Sequence, residues 1–324
     1  MIKPRTIKTP FDFGRAITMP FQTSGGTQFA WRLLFWMSAI MSVVYLVTFP
    51  MILPHYGELL SINQQNIQNI GSGQQPDNTR MIALFAKMGP AYLLMMAGMW
   101  FAWVIGETAL YRKVLRDEET PRLPLRISGD ELRVLLSQLG VFATIILVYF
   151  LGIFVVTLVG GIITAVIAPL GVLLIVIGII ALMLLVLYLC VALAPAAPLS
   201  VFNRKPHVLA ANKIVKHRFW SLFGAYIVVF IGGYIVIYLV MYLGIIAVTG
   251  NADFFVAMSG FGKEDPQFLM EAAAQRLQNP LIMAIAVIAQ IAYAVAISLW
   301  ILCLTGVGAY AVQWWENDDE PNVF

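Results

Sequence analysis

Few side chains in this sequence are suited to chemistry, and none stands in a pattern that specifies a reaction. There are three histidines: His55 in a stretch rich in Asn and Gln, and His207 and His217 in a basic one. Gly260-Phe261-Gly262-Lys263 lacks the spacing and the following hydroxyl of a phosphate-cradling loop. No His-Glu-x-x-His, Cys-x-x-Cys or Gly-x-Ser-x-Gly pattern occurs, so the residue sets for zinc hydrolysis, thiol redox exchange and serine acyl transfer are not in place. Cys190 and Cys303 both fall in strongly apolar stretches and read as two buried thiols. The expectation is a protein that is not an enzyme, with no catalytic residue, no cofactor and no metal.

Two sets of polar residues remain. Glu107, Arg112 and Gln290 sit in or beside apolar runs. Glu107 can pair with Arg112 or with a basic residue elsewhere, and Gln290 reads as an amide seeking a partner across a helix contact. The second set is the most basic segment of the chain: Arg204, Lys205, Lys213, Lys216 and Arg218. Val208, Ala211, Ile214 and Val215 recur within it at helical spacing, which predicts a basic amphipathic helix lying on an anionic membrane surface. These five cations are the candidate lipid-headgroup residues.

The elements that must hold these residues are membrane helices. Of 324 residues 60% are hydrophobic and 11% charged, against roughly 25% charged in a soluble domain. Leu139 to Val201 contains no Asp, Glu, Lys, Arg or His, about twice the length that crosses a ~30 Å hydrocarbon core. Ala168, Pro169 and Gly171 break it into a hairpin. The fold class is therefore all-α: a polytopic membrane protein of six transmembrane helices in three hairpins with cytoplasmic amino ends, plus short interfacial amphipathic helices. A basic lead-in covers 1–29, a single membrane domain 30–315 and an acidic tail 316–324. The helices are expected at about 30–53, 81–107, 139–166, 171–196, 221–248 and 281–312. Thr9-Pro10 reads as the start of a lead-in helix, and Asp265-Pro266 as that of a short loop helix. Pro50 and Pro54 are expected to end the first membrane helix, leaving 55–79 as a polar loop with a short surface helix through Leu59, Ile62 and Ile67. Ser128 followed by Glu131 is a capping box. Ala286, Gln290, Ala294 and Ser298 fall four apart, a face that allows close helix contact.

Charge sets the expected orientation. The Lys and Arg residues concentrate in 1–32, 112–133 and 204–218, and six crossings put all three segments on one side. By the positive-inside rule that side, with both termini, is the cytoplasm. Each hairpin opens with such a basic prelude, which fits either a parallel three-fold repeat or the needs of topology alone.

Two stretches carry a resemblance. One is Glu107-Thr-Ala-Leu-Tyr-Arg-Lys-Val-Leu-Arg116 with Leu125-Arg-Ile-Ser-Gly-Asp-Glu-Leu-Arg133. The other is Ala197-Pro-Leu-Ser-Val201 with Ala211-Asn-Lys-Ile-Val-Lys-His-Arg-Phe-Trp-Ser-Leu-Phe-Gly224. Together they resemble a broad group of uncharacterised six-helix inner-membrane proteins of alphaproteobacteria. More distantly they are similar to the membrane domain attached to some glycerophosphodiester phosphodiesterases. The resemblance implies a fold and a location in the bacterial inner membrane. It brings no catalytic residue, because the phosphodiesterase chemistry belongs to a separate soluble domain that is expected to be missing here. The functional expectation is a non-enzymatic scaffold or lipid-interacting accessory protein. Its partners are membrane lipids, anionic ones among them, with a second copy or another membrane protein as the further candidates, and no nucleic acid. The alternative is a transporter or channel for an apolar or amphipathic solute. The lack of any ionisable side chain at mid-membrane depth counts against ion-coupled transport.

Overall fold

The computed structural model describes residues 11–23, 26–72, 75, 78–118, 127–216, 218–250, 272–273 and 275–317. The chain is an all-α polytopic membrane protein, with six segments among the described residues long and apolar enough to cross a bilayer: Thr27–Ile52, Asn78–Arg116, Gly129–Val166, Ala168–Phe202, Phe219–Thr249 and Pro280–Glu316. Among the described residues the α-helices with assigned bounds are α1 Phe13–Thr18, α2 Gly26–Gly71, α3 Asn78–Arg116, α4 Gly129–Val166, α5 Ala168–Leu193, α6 Ala196–Phe202, α7 Ala211–Val215, α8 Phe219–Thr249 and α9 Pro280–Asn317. Contacts group them into two units. One contains Met1–Ala30, Val104–Phe230 and Leu302–Phe324, and the other Trp31–Trp103 and Ile231–Ile301.

In the second unit the first membrane helix does not stop at its prolines. α2 runs through Pro50 and Pro54 to Gly71. Each internal proline removes one backbone hydrogen bond and strains a carbonyl, costing ~3 kcal/mol in a soluble helix. Tertiary burial outweighs this. Ile62 is buried with Ile52 against Leu84, Met88 and Ala91 of α3, and Leu59 packs on the same cluster. Each such aliphatic side chain contributes about 1.5–3 kcal/mol when fully buried. An exposed ion pair, Arg80 to Glu58 at 3.3 Å, spans the same two helices. Elsewhere in this unit Ser298 donates to the Met41 sulfur at 3.4 Å, and Tyr45 meets Tyr293 edge-on with centroids 5.7 Å apart.

In the first unit the expected capping box is present. Ser128 accepts from the Asp130 N–H and Glu131 from the Ser128 N–H, so α4 starts at Gly129 and continues without a break into the membrane. The turn into α5 is Ile167 alone, with Pro169 already in the first turn of α5. Small residues hold the two helices together. A Cβ on Gly152 would overlap Leu182, on Gly160 Ile175, on Gly178 Val156, and on Gly171 the Thr164 backbone. Residues 152, 156, 160 and 164 of α4 thus face 182, 178, 175 and 171 of α5. Glycine alternates sides along the seam, so each backbone receives the other helix's bulkier side chain.

Three further expectations change. α1 begins at Phe13, capped by Asp12, which accepts from the Arg15 N–H at 3.1 Å. Thr9 and Pro10 lie outside the described residues, as does the Asp265-Pro266 helix start. The basic segment is not one amphipathic surface helix. It is a series of turns from Asn203 to Ala210, with Arg204 in the left-handed region at φ 54°, followed by the five-residue α7. Ala211, Ile214 and Val215, expected to face lipid, are buried in the protein. Burial in a packed interior and the Pro206 break together replace the continuous helix that spacing alone suggests. Both cysteines are free, and Cys190, expected to be buried, is exposed on the apolar surface of α5.

Candidate functional site

The most concentrated chemistry in the protein is a buried polar cluster in the first unit. The last turns of α3 and the first turns of α4 build it. On α3, Glu107 and Tyr111 are four residues apart, as are Arg112 and Arg116, so each pair shares a face. On α4, Glu131 and Gln138 are seven apart and also share a face.

Glu107 accepts hydrogen bonds from the Tyr111 hydroxyl and the Gln138 amide, one on each carboxylate oxygen. Glu107 is 6% exposed and Tyr111 2%. The Tyr111 hydroxyl and the Gln138 amide thus tie this carboxylate to both α3 and α4. The short ion pair of Arg112 is with Glu131, at 2.6 Å, and its second nitrogen reaches the Ser128 hydroxyl at 2.9 Å. Glu131 therefore caps α4 and neutralises a buried guanidinium at once. Arg116 pairs with Asp130 at 2.9 Å and donates to the Val201 carbonyl at the end of α6. Arg133 also pairs with Asp130. A hydroxyl pair, Ser137 with Ser200 at 2.6 Å, joins α4 to α6, and Ser200 accepts from the His207 N–H at 2.7 Å.

Such an arrangement can lock helices. Removing one member of a buried ion pair typically costs 3–5 kcal/mol, because the other charge is stranded. Each cation of the cluster has an acid or carbonyl beside it, and Glu107 lies in a closed contact. Among the described residues no three His, Cys, Asp or Glu side chains group as a metal site.

The headgroup candidates are arranged differently. Arg204, Lys205, Lys213 and Lys216 are exposed and make no hydrogen bond or ion pair with a described residue. Arg218 is half-buried, with its guanidinium 5.2 Å from the Trp314 ring centroid, so part of its charge is spent on that indole. Trp314 and Tyr310 in turn flank Phe11, at 6.3 and 5.1 Å between centroids, which seats the lead-in on α9. His217 lies outside the described residues.

Gln290 belongs to the second unit. Ala294 and Ser298 on its face are fully buried, as close packing requires. The Gln290 amide nitrogen is itself buried, yet it finds no hydrogen-bond partner among the described residues, contrary to expectation. An apolar groove of about 380 Å³ lies nearby in the chain, lined by α2 from Trp31 to Ser42 and by Ile291 and Val295 of α9.

Sequence reasoning missed Tyr111, Gln138, Arg116 and Asp130 as members of the polar cluster. The i,i+4 and i,i+7 spacings were the available signal, but they do not say which faces meet. Comparisons with protein-family models, curated proteins and solved structures returned no match for this chain.

Proposed function

We propose that this integral membrane protein is a non-enzymatic scaffold or lipid-interacting accessory protein of a bacterial inner membrane, with both termini in the cytoplasm. One contrast carries the reading. The buried charges of α3 and α4 are engaged with one another, whereas four cations of 204–216 are exposed and pair with no acid among the described residues. Cations placed so at the end of a membrane helix attract anionic headgroups at ~1 kcal/mol each, and salt screens that attraction. The likeness to alphaproteobacterial six-helix inner-membrane proteins agrees with this location.

The test replaces Arg204, Lys205, Lys213 and Lys216 together by Gln and measures the ratio of phosphatidylglycerol to phosphatidylethanolamine around the protein in mixed-lipid nanodiscs. The expected result is a salt-sensitive enrichment of phosphatidylglycerol that is largely lost in the variant. Equal enrichment in both proteins removes the lipid part of the proposal.

A further inference from the structure

We infer that the groove of the second unit is a stoichiometric binding site for one phospholipid, its phosphate on Arg32 and one acyl chain along α2. The site is separate from the basic segment and does not rest on the reading given for it.

Four observations support this occupant. First, the groove has a built shape. Its floor is made of small side chains, with Ser38 5% and Ser42 8% exposed, while Trp31 and Phe35 stand out at 60% and 65% as one wall. Ile291 and Val295 of α9 form the other wall. Second, the floor is largely apolar: the Ser38 hydroxyl is already engaged, donating to the Leu34 carbonyl at 2.7 Å, and Leu34 and Ala39 lie beside it. Third, the groove is elongated: from Trp31 to Ser42 it follows ~16 Å of helix, a length along which an extended acyl chain can lie.

The fourth observation is the charge at the mouth. Arg32 follows Trp31 at the start of the span Thr27–Ile52, is exposed, and makes no hydrogen bond or ion pair with a described residue. It adjoins Trp31 in sequence and lies one turn from Phe35, and both of these residues line the groove. An arginine at headgroup depth offers a fork of donors matched to phosphate oxygens, and an adjoining indole favours the same layer. The anion and the chain are therefore recognised at one helix end in the order in which a phospholipid presents them.

The test uses the full-length protein, delipidated in detergent and titrated with dioleoyl-phosphatidylglycerol under native mass spectrometry. The expected result is one tightly held lipid per chain. Arg32→Gln should weaken it about tenfold, the scale of one charge-assisted hydrogen bond. Ala39→Phe, which fills the groove, should abolish it, while Val43→Phe, a lipid-facing control on the same helix, should not. Replacing Lys213 and Lys216 by Gln should leave this lipid in place. Because Arg32 is exposed, its replacement should not change the unfolding temperature, so loss of binding there is not a folding defect. Unchanged retention in both Arg32→Gln and Ala39→Phe overturns the site. A wild-type dimer that Ala39→Phe dissociates, with lipid retention unaltered, also overturns it, by assigning the groove to a helix of a second copy.

Discussion

Glu131 shows how one side chain comes to be indispensable. Its carboxylate closes the capping box at Ser128 and pairs with Arg112, both groups being under one-tenth exposed. Glu131→Ala removes an N-terminal cap interaction, worth ~1 kcal/mol, and one arm of a buried ion pair, worth up to about 3–5 kcal/mol. The expected outcome is a large fall in the unfolding temperature in detergent. Glu131→Gln, which keeps an acceptor oxygen for one of the two partners, should lose less. Equal losses in the two variants would mean that the charge itself is what matters. The spacing of Ser128 and Glu131 made the cap legible in the sequence. The pairing with Arg112, across a segment of more than a dozen residues, was not legible, since it depends on how two helices rotate about their axes.

At the scale of the element, the α4–α5 seam and the α2 extension give opposite lessons. The seam is set by glycines whose missing Cβ atoms admit the facing helix. Gly171 is the strictest, because a Cβ there meets the Thr164 backbone, which cannot rotate aside. Gly171→Ala should destabilise the hairpin by about 1–3 kcal/mol, as overpacking does. Gly161→Ala is the matched control, with open space around the new methyl, and should be neutral or stabilising by up to ~1 kcal/mol through helix propensity. Thermal unfolding followed by circular dichroism separates the two, and similar shifts would refute the seam. A hydropathy profile marks this stretch as a hairpin, but it is blind to the alternation of glycine with larger residues that sets the register. The α2 extension is the reverse case. Local sequence, with two prolines and a run of Asn and Gln, argues for a loop, and a few buried contacts of Leu59 and Ile62 override it.

For the whole molecule, the distribution of Lys and Arg bears on orientation. The segments 1–32, 112–133 and 204–218 hold most of these residues, and six crossings bring them to one side. A reporter active only outside the cytoplasm, fused after Phe324, should be silent, and one inserted within 251–270 should be active. The opposite pattern would reverse the topology and put the exposed cations of 204–216 on the outer face. Three hairpins of equal design would also predict similar connections. The helices of the three hairpins are separated by residues 72–77, by Ile167 and by residues 250–279, so the connections differ in length.

The sequence by itself determined the helical class, the number of crossings and the cap that opens α4. Each of these follows from local quantities: the apolar length needed to cover a bilayer, and hydrogen bonds between residues three apart. Tertiary structure alone decided that Glu107 is held by Tyr111 and Gln138, that Ala211, Ile214 and Val215 turn inward, that α2 outlasts its prolines, and that a groove opens beside Trp31. All four depend on the rotation and register of helices distant in sequence. Mean apolarity along a chain carries no information about either, because every face of a membrane helix can be apolar while only one meets protein.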